Sequence, residues 1–333
     1  MQGKKILMIS NYDYAGSGYR AAEAINLNTN NFVQYIVLFH RGIPKGVRRY
    51  PSLFKSTLGE DGKEYRYFYK HDKQRVQSLI DWADIIHFKD DSPPKEDFIP
   101  SVNIPKDKMW ISNVNGSAFR RGDSAIAYPI AEFSAYMDNV DTRVVSDPEL
   151  NYPEFDASFI PLPFDTDAYP NSWSNGKVPV IAHSPWYYGK KVTVEFIAAV
   201  KKLQKEGIAV EYDIIENESY NACLKRKSKA TLFFDQNLAG FWGNSAIEAM
   251  AFGVPVLTYI ADNLTSGSGG RINGQCPVIN TGQTEESIYR ALKGVLTNGT
   301  DLKELSKRTK EFVKEIHSYE SVAKEWDKIY SNK

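Results

Sequence analysis

Asp235-Gln236-Asn237-Leu238-Ala239-Gly240-Phe241-Trp242-Gly243-Asn244-Ser245-Ala246-Ile247-Glu248-Ala249-Met250-Ala251-Phe252-Gly253-Val254-Pro255-Val256 decides the fold. The apolar stretch before it, Thr231–Phe234, is short enough for a buried strand. A loop punctuated by Gly240 and Gly243 follows, then a helix over Ser245–Phe252 with an acidic residue one turn inside. Gly253 stops that helix and Pro255 leads into a strand over Val256–Tyr259. Strand, loop, helix and strand in this order give parallel pairing, because a helix must carry the chain back before the next strand starts.

The same alternation extends in both directions. Upstream, Val178–Ala182 reads as a strand, Phe196, Val200 and Leu203 fall at helical spacing, Val210–Ile215 is a strand and Tyr220–Lys227 a helix; downstream, Glu285–Leu296 is a helix. In the first half, Lys5–Ile9 is a buried strand followed by a glycine-bearing turn and a helix over Tyr19–Leu27. Strands at Val33–Leu38, Ile85–Phe88 and Met109–Ser112, with a helix at Gln74–Ala83, complete a second series. The proline-bearing stretch from Tyr152 to Pro170 reads as a connection, with the boundary near residues 165–177. A last helix over Ser318–Tyr330 puts Val322, Trp326, Ile329 and Tyr330 on one side, a stripe that needs a surface to pack on.

A chain of 333 residues is longer than one core usually serves. Its 41 basic and 41 acidic residues cancel, which gives no bulk electrostatic drive toward nucleic acid or anionic membrane. Cys223 and Cys276 are the only cysteines and stand at neither a metal nor a redox spacing, so a reducing compartment is expected. Ile6–Ile9 is too short for a signal segment and no run reaches membrane-spanning length; the expected location is cytoplasmic, without a stable membrane span.

Three loops carry the candidate chemistry. In the first, Asp13 to Arg20, Gly16, Ser17 and Gly18 sit between a strand and a helix, where they serve either a tight turn or the approach of backbone amides to a phosphate. The spacing lacks the third glycine of a dinucleotide fingerprint, so a nicotinamide cofactor is not expected. In the second, His183 to Thr193, Ser184, Lys190 and Lys191 stand at a helix entrance; the lysines suit a diphosphate or a solvated surface. In the third, the amides of Gly243, Asn244 and Ser245 open a helix toward an anion. There Glu248 either accepts ribose hydroxyls or complements the helix dipole.

Other residues allow two readings each. His87 closes an apolar strand, as a core or cleft-lining histidine or as a group at a ligand. Asp13 is a turn cap or a base beside a ligand. Arg120 and Arg121 bind an anionic ligand or are solvated. Asp165-Thr166-Asp167 imitates a metal motif but lies in the connection, and no metal site is expected.

With these residues in place, the chain resembles the retaining glycosyltransferases of family 4. The match rests on His183-Ser184-Pro185, Lys191, Thr193, Asp235-Gln236, Gly240, Gly243, Glu248-Ala249-Met250-Ala251, Gly253 and Pro255-Val256. Weaker likeness lies in Gly16-Ser17-Gly18, Asp84-Ile85-Ile86-His87, Gly116-Ser117-Ala118-Phe119-Arg120 and Ile160-Pro161-Leu162-Pro163-Phe164-Asp165. The resemblance implies an α/β GT-B fold: two Rossmann-like, doubly wound parallel-sheet domains facing a central cleft. Residues 1–168 would form the acceptor-side domain, 169–315 the nucleotide-sugar domain, and 316–333 a helix crossing back to the first.

The implied reaction moves a hexose or similar sugar from a UDP- or GDP-linked donor as co-substrate, with retention, with no cofactor required and without metal. The acceptor would be a glycan, lipid-linked sugar, protein or modified DNA base. Donor binding falls on Gly16, Ser17, Gly18, Arg20, Ser184, Lys190, Lys191, Glu216, Gly240, Gly243, Asn244, Ser245 and Glu248, catalysis on His87 and Asp13, and the acceptor side on Asn115, Ser117 and Arg120.

Three positions depart from the family's pattern: Gly240 stands where a sugar-facing Glu is frequent, Tyr188 where an Arg is, and Asn115 where a His is. A sugar-nucleotide epimerase, a DNA-base transferase of viral type and a non-catalytic sugar-nucleotide binder are the competing readings.

Overall fold

The computed structural model describes residues 3–10, 13, 16–37, 73–90, 107–114, 140–152, 156–185, 192–236 and 239–332. The first half opens with β1 (Lys5–Ser10), α1 (Ser17–Asn28), β2 (Phe32–Val37), α2 (Lys73–Trp82), β3 (Ile85–Asp90), β4 (Met109–Val114), β5 (Thr142–Val145) and β6 (Ser158–Phe159). The second half continues with β7 (Val180–His183), α3 (Thr193–Lys205), β8 (Glu211–Ile214), α4 (Tyr220–Lys227), β9 (Leu232–Phe234) and α5 (Asn244–Ala251). It ends with β10 (Val256–Thr258), α6 (Leu264–Gly267), β11 (Ile279–Asn280), α7 (Glu285–Thr297), α8 (Leu302–His317) and α9 (Tyr319–Ser331).

Two sheets result, ordered β2-β1-β3-β4-β5-β6 and β11-β10-β9-β7-β8, and every described strand pair is parallel. The first sheet ends at Phe159 and the second begins at Val180. Each is covered on both faces, which is why Ile6–Ile9 and Leu232–Phe234 are unbroken apolar runs rather than alternating ones. In the first lobe, α1 and α9 cover one face, with Tyr19 and Ile25 meeting Val322, Trp326 and Tyr330. On the other face α2 contributes Val76 and Ile80. In the second lobe, Phe196 and Leu203 of α3 meet Ile288 and Leu292 of α7. Cys223 of α4 and Met250 of α5 lie in a cluster that also takes in Phe159, Leu162 and Phe164.

The apolar stripe expected on the last helix has its surface. α9 packs on α1, where Tyr319 donates to Glu23 Oε2 at 2.8 Å and Asn31 donates to Asp327 Oδ1 at 2.7 Å. Ser318 caps the helix, its Oγ accepting from Ser321 N at 3.2 Å.

The structure adds elements that the periodicity did not predict: β5, β6, β11, α6 and, largest, α8. Asp301 caps α8 by accepting from the amides of Lys303 and Glu304, both at 3.0 Å. Its buried side contains Leu302, Ser306, Thr309, Val313 and Ile316, and the two hydroxyl residues dilute the apolar repeat.

Candidate functional site

In an open parallel sheet, ligands bind beyond the carboxyl ends of the strands at the point where strand order reverses, because neighbouring loops diverge there and leave a crevice. In the second sheet that point lies between β7 and β9. Ser184 follows the first of these strands and Asp235 the second, and the Asp235 loop delivers the N-terminus of α5.

Asp235 is buried, and its Oδ2 accepts from Gly243 N at 2.7 Å. This corrects one expectation: the Gly243 amide is occupied by the chain itself. The amides of Asn244 and Ser245, first and second in α5, have no acceptor among the described residues. They are the ones that the helix start leaves open. Gly240 has φ +82, and a Cβ built there would lie 2.7 Å from Ala261 Cβ. At this position the chain requires glycine.

One turn into α5, Glu248 is 1% exposed. An ionised carboxylate withdrawn from water costs several kcal/mol unless it is paired. Two cations pair it here, and they come from different lobes. Lys227, the last residue of α4, donates to Glu248 Oε2 and, at 2.7 Å, to Ser245 Oγ. Arg20 of α1 brings Nη2 to 3.9 Å from Glu248 Oε1. The same guanidinium donates to Asn244 Oδ1 at 3.2 Å and to the Tyr220 hydroxyl at 3.4 Å, and it stands 4.9 Å above the Phe164 ring. Tyr169 adjoins Tyr220; burial pushes its phenol above the ordinary value, with Arg20 opposing. The opening of α5 is therefore surrounded by Arg20, Asn244, Ser245, Tyr220, Lys227 and Glu248.

Two histidines fasten this region from behind. His183 bridges Phe234 O at 2.8 Å and Thr193 Oγ1 at 2.9 Å, tying the end of β9 to the start of α3. His317 accepts from Trp242 Nε1 at 3.0 Å through Nε2 and is bonded to Leu162 O at 2.8 Å through Nδ1. Because the indole can only donate, Nε2 is the bare nitrogen and Nδ1 carries the proton. Burial lowers the His317 pKa to about 4, so the ring is neutral at pH 7.

The other candidates fall in several places. Asp13 takes the capping reading: its carboxylate accepts from Gly18 N at 3.4 Å and Tyr19 N at 3.1 Å at the start of α1. Gly16 supplies the left-handed turn at φ 68, and Gly18 lies against Tyr35, whose hydroxyl would be 2.3 Å from any Cβ there. Ser17 opens α1 beside them. His87 is placed in packing rather than with Glu248: fully buried, it bonds to the Tyr330 hydroxyl at 2.8 Å and lies 4.4 Å from the Trp326 ring. Burial, with Lys89 adding, holds its pKa well below the usual value.

Ser184 is buried, its Oγ 3.7 Å from Cys223 Sγ. Glu216 follows β8 and is half-buried, beside Asn217 at φ 54. Val192, which precedes α3, has φ 54 and ψ 36, a conformation costly for a β-branched residue. Lys190, Lys191, Asn115, Ser117 and Arg120 lie outside the described residues.

Sequence reasoning missed Lys227, although the signal was present. Tyr220, Cys223, Leu224 and Lys227 stand at i, i+3, i+4 and i+7 on the buried side of α4, so the lysine occupies a core position that demands a counter-charge.

No protein-family model matches the chain, and no curated protein matches it in sequence. Solved structures do match it in fold. A glycosyltransferase from Rickettsia africae ESF-5 aligns over 100% of both chains with TM-score 0.66 and 12% identity. Sucrose-phosphate synthase from Thermosynechococcus elongatus aligns over 98% of both chains with TM-score 0.60 and 13% identity. S. aureus TarM, in a complex with Fondaparinux, alpha-GlcNAc-glycerol and UDP, aligns over 82% of this chain and 60% of its own with TM-score 0.57 and 14% identity. The fold is GT-B: two parallel-sheet α/β lobes of the kind found in these glycosyltransferases.

Proposed function

We propose that the chain is a glycosyltransferase that binds a nucleoside-diphosphate sugar at the N-terminus of α5 and passes the sugar to an acceptor presented by the first lobe. The observation that carries this reading is the pairing of open helix amides at Asn244 and Ser245 with a buried carboxylate, Glu248, one turn further on. Backbone amides and the helix dipole suit a diphosphate. A carboxylate paired by two cations suits the adjacent ribose hydroxyls. The fold shared with glycosyltransferases supports it, as does the UDP in the TarM complex.

Transfer breaks the bond between the sugar's anomeric carbon and the β-phosphate oxygen. The negative charge that develops there is met by the α5 amides and by Arg20, so positive charge is available from the chain without a metal ion. The acceptor oxygen bonds to the same face of the anomeric carbon and its proton passes to the departing phosphate, giving retention.

The test is turnover of UDP- and GDP-linked hexoses. Glu248→Ala lowers donor hydrolysis on the order of 10- to 100-fold, a chelator leaves the rate unchanged, and NMR of the product shows the donor's anomeric configuration. Inversion would overturn the retaining mechanism. Epimerised donor without added acceptor would replace transfer by epimerisation, and tight donor binding without turnover would leave a sugar-nucleotide binder.

A further inference from the structure

We propose that Lys227 is a positioning residue for the donor's ribose, acting through Glu248. The inference rests on the donor reading above and adds a residue that the motifs do not contain. Lys227 is 0% exposed, yet it belongs to neither the α5 loop nor the strand ends. Its ammonium meets Glu248 Oε2, Ser245 Oγ at 2.7 Å and the Phe233 ring at 5.3 Å.

A carboxylate must be ionised to accept hydrogen bonds on both oxygens; protonated, it turns one of them into a donor. It must also hold one orientation, since two hydroxyls of a ribose meet it only along fixed directions. Arg20 satisfies neither need alone: it stands 3.9 Å from Oε1 and divides its fork among Asn244, Tyr220 and Glu248. Lys227 satisfies both. By occupying Oε2 it fixes the rotamer of Glu248, sets a counter-charge against the carboxylate and places Oε1 on the Arg20 side, toward the first lobe. The bond to Ser245 ties the same ammonium to the second residue of α5, so carboxylate and open amides move as one body.

A purely structural role for Lys227 predicts something else. A buried ion pair that only holds α4 to α5 would, when broken, weaken all nucleotides alike. A positioning role makes the loss specific for the ribose hydroxyls.

The experiment is calorimetric titration of UDP, GDP and their 2′-deoxy forms into wild type, Glu248→Gln, Lys227→Met and the double variant. Wild type prefers the ribonucleotide on the order of 10- to 100-fold, as expected for hydroxyls bonded to a charged acceptor. Lys227→Met loses most of that preference while binding of the deoxy form changes little. In the double variant the preference equals that of Glu248→Gln, since Lys227 has no further route to the ribose. Because Lys227→Met removes a buried counter-charge and risks the fold, Lys227→Gln, which can still donate to Glu248 and Ser245, repeats the measurement and keeps a preference between those of Lys227→Met and wild type. If the lysine variants keep the wild-type preference while Glu248→Gln loses it, the positioning role is overturned and the donor site stands. If wild type binds none of the nucleotides, the donor reading itself falls.

Discussion

Arg20, from the first helix of the first lobe, faces Glu248, one turn inside α5 of the second, with Nη2 and Oε1 3.9 Å apart and both side chains closed off from solvent. Some 228 positions separate them, and no other side chain joins the first lobe so directly to the start of α5 among the described residues. The ion pair, the bond to Asn244 and the packing on Phe164 make Arg20 a point at which the lobes meet.

Replacing Arg20 by alanine removes one of the two charges that compensate Glu248 and empties the space over Phe164. We expect a loss of about 2–3 kcal/mol in urea unfolding and a smaller thermal shift with UDP or GDP. Arg20→Lys does not restore either value, because an ammonium cannot reach Asn244, Tyr220 and Glu248 together as a planar fork does.

His317 gives the fold a pH dependence of definite sign. The folded protein keeps this ring neutral down to about pH 4, whereas the unfolded chain takes up a proton near 6.5. Between those values the unfolded state binds more protons, so stability falls as the pH drops through that window and is unaffected by this group above it. The full difference is about 3 kcal/mol, and His87, depressed by burial and Lys89, adds in the same direction. Urea denaturation at steps from pH 7 to pH 4 measures it; in His317→Gln the window's slope is shallower than in wild type.

Gly240 cannot be given the carboxylate that the family pattern places there. With φ +82 and Ala261 Cβ 2.7 Å from a built Cβ, Gly240→Ala costs roughly 1–3 kcal/mol. Adding Ala261→Gly recovers the steric part and leaves the backbone part. Gly240→Glu gains no turnover. Thermal denaturation of the single and double variants checks the first statement, and donor hydrolysis the second.

Lys310 closes the far end of the same helix. Its ammonium donates to Ala251 O at 2.6 Å, Tyr169 O at 2.7 Å and Thr166 O at 2.9 Å, joining the carboxyl end of α5 to the connection between lobes. Lys310→Met strands three carbonyls and lowers stability by about 2–4 kcal/mol, while nucleotide affinity in the remaining folded protein is unchanged. Chemical denaturation and calorimetry on one preparation separate the two.

The alternation of strands and helices was legible because both sheets are covered on two faces and their strands are unbroken apolar runs. The helix α5, expected over Ser245–Phe252 and found over Asn244–Ala251, was legible to within one residue at each end, since Gly243 precedes it and Gly253, at φ +79 against Asn171, stops it. α8 was not, because Ser306 and Thr309 occupy buried positions on its stripe and carry no apolar signal. At the site, Glu248 was found from its place in a motif. Lys227 was passed over because its partners, Ser245 and Glu248, lie 18 and 21 residues away and are brought to it by the fold. The two readings left open for Asp13 and His87 differ by what packs against them, which no local pattern contains.

The most direct test is a crystal structure of the protein with UDP or GDP bound. The account predicts the diphosphate within hydrogen-bonding distance of the Asn244 and Ser245 amides and the ribose hydroxyls on Glu248, with Lys227 still on Oε2. A nucleotide seated elsewhere, with the start of α5 covered by the protein's own atoms, would contradict it.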